Sequence, residues 1–471
     1  MATSVDDGNF PSVVSAGFDR MRKVPCSAHD IFVNKTHSLI LQFGLLFAVI
    51  AATPVLAIKP GWLGPQLLTL VVALLLVLLP SAPEADVQRS LEITKPLAAT
   101  ALLPALWMAV QMIPIPLGSI DHPIWRSAAA AVSESLSGHI SIDLGFTLRA
   151  LFGYLSLAAL AFVTAVLTRD RVRAERLLFG ICTITTFAAI ELTLLSELPA
   201  LKSAYAPRDV VRPLLALAAF GSILNVAFVV RTNERYKTRG SREPHSLHEH
   251  IGMMLAGIGG EVICLIALVH LASPDTLLAA AFGVTAFGLV VLIRRLNFSR
   301  WTAATVCTAV AVACAGGVAL RFAANPGLSP LFRFANVVST DDATAALRMV
   351  SDATWAGAGV GTYGAVAAIY RDATGAPGET AINTVMLLIL EWGYVGLLAT
   401  IALLLQLIAT LFRGALARGR DSFYAAGAAG CLVTASFEAL CDASFTELAV
   451  QMMAAIIIGL GLSQSIGRRP A

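Results

Sequence analysis

From residue 38 nearly to the C-terminus, long apolar runs alternate with short polar breaks. Each run approaches ~20 residues, the length an α-helix needs to cross ~30 Å of hydrocarbon. Twelve can be placed, near 38–58, 62–81, 96–113, 148–168, 176–196, 211–230, 251–271, 276–293, 302–320, 382–412, 422–441 and 447–466. The tenth is too long for a simple span. Gly393 and Gly396 inside it predict a helix that starts at the membrane surface and bends before descending. This pattern implies an all-α polytopic membrane protein of twelve transmembrane helices, with one large loop between helices 9 and 10. It divides the chain into an N-terminal tail (1–36), helices 1–9 (37–320), the loop (321–380), helices 10–12 (381–466) and a C-terminal tail (467–471).

Composition supports the membrane assignment. Hydrophobic residues make up 57% of the chain and charged residues 13%, with a mean hydropathy of +0.77. Soluble domains usually carry about 25% charge. Residues 1–36 are too polar for the apolar core of a signal peptide. Most of the 33 basic residues fall in alternate polar breaks, most densely in "TRDRVRAER" (168–176) and "RTNERYKTRGSR" (231–242). The positive-inside rule then puts both termini in the cytoplasm and the 321–380 insert outside. The net charge of +3 is a sum over two compartments and says little, and nucleic acid is not an expected partner. Cys182, Cys264, Cys307, Cys314 and Cys431 lie in apolar segments, so no structural disulfide is expected. No paired broken helices of the secondary-transporter kind occur in the two halves.

The insert holds Arg321, Arg333, Arg348 and Arg371. Two further outside loops are expected. Pro114 to Thr147 carries a predicted surface helix around Trp125–Leu136, and Ser196 to Pro213 contributes Lys202, Arg208 and Arg212. Glu191, Glu391, Glu438 and Asp442 fall near the outer ends of their spans, which suggests a polar chamber opening outward. Alternatively each makes a single interhelical hydrogen bond. Glu261 lies near the middle of its span. A guanidinium binds phosphate oxygens bidentately, so arginines beside a membrane-level cavity suit a lipid-linked phosphate or pyrophosphate. Arg208, Arg212 and Arg348 are the best placed, the alternative being ion pairs with Asp209, Asp341, Asp342 or Asp352. Gly359, Gly361 and Gly364 fit G-x-G-x-x-G, but no strand precedes them, and a tight turn before a helix is the expected role. The group His245, His248, Glu249 and His250 has no second ligand cluster, so no metal is expected. No cofactor motif is present.

The stretch from Arg348 through "GAGVGTYG" and "INTVMLLILEWGYVGLL" resembles the carboxy-terminal half of the O-antigen ligase and polymerase-like family. Upstream, "LPALWMAVQMIPIPLGSIDHPIW" and "GHISIDLGFTLRALFGYLS" resemble bacterial exopolysaccharide and O-antigen members. The resemblance implies a bacterial inner membrane, twelve spans and one large periplasmic loop. It further implies transfer of a glycan from undecaprenyl pyrophosphate to an acceptor glycan or glycolipid, without nucleotide or metal. Arg348, Gly359, Gly361, Asn383, Glu391, Gly393 and Gly396 match the family pattern, with Arg348 and Asn383 on the substrate and the glycines as structural turns. Two positions depart from it. Ile382 stands where the family has histidine, and Ser273–Pro274–Asp275 stands where ligases show Ser-Arg-Gly.

That histidine is the family's base for the acceptor hydroxyl, and general-base help is typically worth ~10²–10⁴ in rate. The substitutes considered are Glu379, then His270, then Glu391, with His122 and His139 also on the outer side. Glu379 has a second explanation, as a helix N-terminal charge favoured by the dipole. The expected function is therefore a glycan ligase or polymerase on the periplasmic face. The alternatives are a non-catalytic member of a polysaccharide assembly complex and a lipid or solute transporter.

Overall fold

The computed structural model describes residues 26–59, 61, 63–118, 120–134, 136–197, 207–239, 247–296, 298–324, 329–336, 340–370, 382–417 and 421–465. Among these no strand occurs, and a single bridge between Ile115 and Gly138 is the β-type pairing present. The first helices are α1 (Cys26–Ile58), α2 (Gly64–Leu78), α3 (Glu84–Gln111), α4 (Ile124–Val132), α5 (Leu144–Leu167) and α6 (Arg171–Glu197). Next come α7 (Pro207–Arg239), α8 (Leu247–Leu271), α9 (Pro274–Arg295) and α10 (Arg300–Ala324). Then follow α11 (Thr340–Asp352), α12 (Tyr363–Ile369), α13 (Thr384–Leu387), α14 (Gly393–Ala417), α15 (Ser422–Cys441) and α16 (Leu448–Ser463).

Among the described residues, eleven helical stretches are long and apolar enough to cross a membrane. The twelfth expected span is α16, at 16 residues shorter than the 447–466 drawn from hydropathy. At 1.5 Å per residue it is ~24 Å long, and its last residue, Ser463, meets Thr168 just beyond the end of α5. There Thr168 Oγ1 hydrogen-bonds Ser463 Oγ at 2.9 Å. The chain is an all-α polytopic membrane protein.

Burial sorts the helices. α7 is apolar all round through "LLALAAFGSILNVAF", and 83% of its span window is buried, as expected for a helix surrounded by others. α15 is enclosed almost as fully. It meets α9 backbone to backbone, since a Cβ on Gly283 would overlap Gly430 O and Thr434 Oγ1. Small residues allow that approach, and dispersion then holds helices together where lipid supplies no hydrophobic drive. α10 is the opposite case: none of its window is buried.

Two elements differ from the hydropathy pattern. α3 starts at Glu84, well before residue 96, because Ser90, Ile93 and Leu97 form a buried face that Arg89, Glu92 and Lys95 conceal in an averaged window. The insert is no bare loop. α10 continues through Arg321 to Ala324, and beyond it Phe332, Ala346, Met349, Ala367, Met386 and Leu390 make a small core of their own. α11 contributes Ala343, Ala346 and Met349 from one face and leaves Leu347 and Arg348 exposed on the other.

Polar contacts gather at the two ends of the bundle. One end joins Arg171 to Asp421 at 2.9 Å, Arg231 to Glu175 at 2.6 Å, and Gln464 Nε2 to Thr168 O at 2.7 Å. The other is the insert end.

Candidate functional site at the insert end

The long tenth apolar segment is broken. α13 passes into a π-helical turn, Leu388–Trp392, and α14 begins at Gly393, whose φ is +65°. A break frees carbonyls, and each unmet polar group in a low-dielectric setting costs several kcal/mol. Here each carbonyl is met. Ala358 N donates to Leu390 O at 2.8 Å and Gly359 N to Glu391 O at 3.1 Å. Gln111 Nε2 also donates to Glu391 O, at 3.0 Å, and Trp107 Nε1 to Trp392 O at 2.6 Å. Tyr394 N returns a bond to Trp355 O at 3.0 Å. The two backbones lie so close that a Cβ on Gly393 would strike Trp355 O, and one on Gly357 would strike Glu391 O.

The 114–143 loop and the first turn of α5 grip the same glycine-rich turn from its other side. Ile142 N donates to Ala358 O at 2.8 Å, and Thr147 Oγ1 to Val360 O at 3.2 Å. Glu391 closes the knot. Its carboxylate is 4% exposed, and it accepts from Tyr363 N at 2.9 Å and from the backbone of Gly361. Successive backbone N–H groups in such a turn form an anion-binding nest. The acceptor in this nest is the chain's own Glu391 side chain.

A second knot anchors the start of the broken helix. Asn383 is fully buried and caps α13: its Oδ1 accepts from Met386 N at 2.8 Å. Its Nδ2 donates to Leu331 O at 2.9 Å and Leu440 O at 3.1 Å. Thr384 N and Oγ1 both reach Asp442 O at 3.0 Å. The Asp442 carboxylate accepts from Ser444 N at 2.9 Å and Asn336 Nδ2 at 3.3 Å. Burial pushes this carboxyl above the ordinary aspartate value, against the Ser444 bonds, the Arg212 charge and Asn336.

No family model matches the chain, and no curated protein matches it.

The residues singled out in the sequence divide as follows. Arg348 is exposed on α11, with Trp355 and Tyr394 also exposed at this end of the bundle. The Trp107 and Trp355 rings lie 6.4 Å apart, and tryptophan and tyrosine favour membrane–water boundaries. Arg212 sits half-buried near the start of α7, close enough to Asp442 to act on its charge. Arg208 lies in the first turn of α7, its side chain outside the described residues, as are Glu379, Arg371 and His245.

Several expectations change. Asn383 is committed to backbone partners, and it positions α13 rather than facing a ligand. Glu391 is enclosed by the glycine turn, so its carboxylate is occupied and cannot meet an acceptor hydroxyl in this arrangement. Gly396 is no turn residue: it lies inside α14, where a Cβ would press on Trp392 and Trp107. Arg321 is tied to Asp275, with Nε and Nη2 on the two carboxylate oxygens at 2.6 and 2.8 Å. Of the four acids, Glu438 is fully buried on α15, within charge range of Asp442. Glu391 and Asp442 serve different knots, and Glu191 sits half-buried on α6. Glu261 accepts from Ser222 Oγ at 3.2 Å.

His270 is exposed in the last turn of α8. His139 Nδ1 lies 3.1 Å from Met112 O, and His122 Nδ1 accepts from Ile124 N at 3.3 Å. Ile382 packs against the insert's small core. Among the described residues no group of three or more His, Cys, Asp or Glu stands within metal-binding reach, and His250 stacks on Tyr236.

Trp107, Gln111 and Asn336 carry no mark in the hydropathy pattern that singles them out. The available signal was an amide in the last turn of an apolar helix, Gln111, four residues after Trp107 on the same face. A donor placed there needs an acceptor.

Proposed function

We propose that the chain is a bacterial inner-membrane glycan ligase or polymerase acting at the insert end, on the periplasmic side. It transfers a glycan from a polyprenyl pyrophosphate to an acceptor hydroxyl. One observation carries this most directly: the insert is a braced platform that leaves Arg348 exposed on α11, at the end of the bundle where Trp355 and Tyr394 are also exposed. A membrane protein gains little from bracing a polar segment so fully unless the segment meets a ligand. The basic residues at the opposite end favour a cytoplasmic location for that end, and so for both termini.

In the proposed reaction the acceptor oxygen attacks the anomeric carbon as the bond to the pyrophosphate oxygen breaks, with inversion. Arg348 and Arg212, with Arg208, neutralise the charge that develops on the leaving pyrophosphate, the step where fixed positive charge contributes most. The acceptor proton passes to a base. With Ile382 in the histidine's place and Glu391 enclosed, that role falls to Glu379 in our proposal. No metal or nucleotide enters the scheme.

A second reading is favoured by a specific observation. Both Asn383 and Glu391, matched to the family's motif, are saturated by backbone partners. A non-catalytic member that holds a lipid-linked glycan for a separate transferase would keep the platform and need no base. Purified full-length protein in lipid nanodiscs, supplied with a polyprenyl-pyrophosphate oligosaccharide and acceptor, separates the two. Release of free polyprenyl pyrophosphate, lost in Glu379→Gln, supports the enzyme. Saturable donor binding without release supports the holder, and neither binding nor release overturns both.

A further inference from the structure

α15 ends in a pair of acids whose charge its surroundings do not balance. Glu438 and Asp442 stand four residues apart, about one helical turn, and are 0% and 1% exposed. No donor among the described residues reaches either carboxylate oxygen of Glu438. Its neighbour Asp442 lies within charge range and is itself an acceptor, for Ser444 N, Ser444 Oγ and Asn336 Nδ2. A buried carboxylate without a donor is costly, and a second acid one turn away adds to the cost.

Among the described residues, the charges that face the pair are Asp275 from α9, Arg321 from α10 and Arg212 from α7. The Cys441 thiol is within range of Glu438, Asp442, Asp275 and Arg321 together. Arg321 is committed to Asp275, taking both its oxygens with Nε and Nη2, and the Arg212 charge acts on Asp442. Three carboxylates thus face two guanidiniums, and the acid left over is Glu438. The backbone adds to the imbalance. The pair sits at a helix C-terminal end, where the macrodipole favours cations and opposes anions. Within membranes such ends recur as sites for Na⁺ and H⁺. Oxygen, the ligand of hard cations, is plentiful here, since Ser273, Thr276 and Asn336 form one hydrogen-bonded set with Asp442.

We propose that Glu438 and Asp442 bind one monovalent cation, H⁺ or Na⁺, at the insert end of α15. The cation supplies the missing positive charge. The same helix end anchors the broken helix and the insert: Leu440 O accepts from Asn383 Nδ2 at 3.1 Å, Cys441 O from Asn336 N at 2.8 Å and Asp442 O from Thr384 N at 3.0 Å. Cation uptake therefore tightens the joint between α15 and the insert. The inference goes beyond glycan transfer and does not depend on it.

The test follows the melting temperature of full-length protein in lipid nanodiscs from acid to neutral pH, in NaCl and in choline chloride of equal ionic strength. In choline, wild-type stability should fall as pH rises, because a proton held by the folded protein and not by the unfolded chain is lost on the way. At neutral pH, Na⁺ that enters the site raises the melting temperature by about 1–3 °C for each tenfold rise in its concentration. Equal curves in the two salts assign the site to the proton alone. Glu438→Gln carries no charge to balance. It should lose this part of both dependences and be at least as stable as wild type at neutral pH. Asp442→Asn leaves two carboxylates facing two guanidiniums and should lose them too, which keeps the test decisive should Glu438→Gln not fold. Protease cleavage within the insert should follow the melting temperature throughout. Parallel pH and Na⁺ profiles in wild type and the variants would overturn the proposal.

Discussion

At the scale of single residues, Glu391 shows how a motif carboxylate can be structural. Its oxygens serve the N–H groups of the glycine turn, and glutamine at this position keeps an acceptor there while removing the charge. Glu391→Gln should therefore retain near-normal glycan assembly, whereas Glu391→Ala leaves buried donors unmet at a cost of ~1–3 kcal/mol. Thermal unfolding of the two purified variants checks this, together with glycan analysis of cells that carry them. A glutamine variant that is stable but inert would make Glu391 a base after all. Asp442 offers a test by pH. Burial raises its proton affinity in the folded protein above the ordinary value of 3.8. Its contribution to stability is therefore complete below that value and is lost as pH rises through the raised one. Asp442→Asn should flatten that part of the stability profile between acid and neutral pH, and parallel wild-type and variant profiles would contradict the assignment.

At the scale of elements, the broken helix is the device that turns a transmembrane segment into a platform. Its length and Gly393 were legible in the sequence, because a run too long for one span and interrupted by glycine has few other solutions. What receives the freed carbonyls was not legible. Trp107 and Gln111 lie more than 200 residues away in the chain, and hydropathy carries no sign of which donor meets which acceptor. Gly396 was misjudged for a related reason: a glycine three residues after a break looks like part of it, while its actual task is to make room for two tryptophans. Gly393→Ala should lower stability by at least the ~1–2 kcal/mol of a left-handed residue. It should also speed protease cleavage within the insert. Gly153→Ala, where a Cβ meets nothing within 4 Å, is the matched control. Equal protease resistance in the two variants would show that the knot does not depend on the close approach of residues 357 and 393.

At the scale of the molecule, the membrane fold was almost wholly legible, since span length and apolar content are imposed by the bilayer itself. Among the described residues, Glu438 and Asp442 lie close together while Glu391 is held in a separate knot. Acids at similar depths in separate helices can be close or far depending on packing, and one-dimensional position does not distinguish these cases. The structure gives two backbone knots at the insert end. They leave Arg348 as the motif residue most plainly presented to a ligand, and the lipid-phosphate reading depends on it more than on any other side chain. The decisive measurement is the pool of lipid-linked glycan in a deletion host that expresses Arg348→Ala at wild-type protein level. Transfer at this site predicts that polyprenyl-pyrophosphate-linked glycan accumulates and the mature polymer or capped acceptor disappears, with Arg348→Lys restoring it only in part because lysine lacks the bidentate fork. Mature glycan at normal amount, with no build-up of the lipid-linked form, would contradict it.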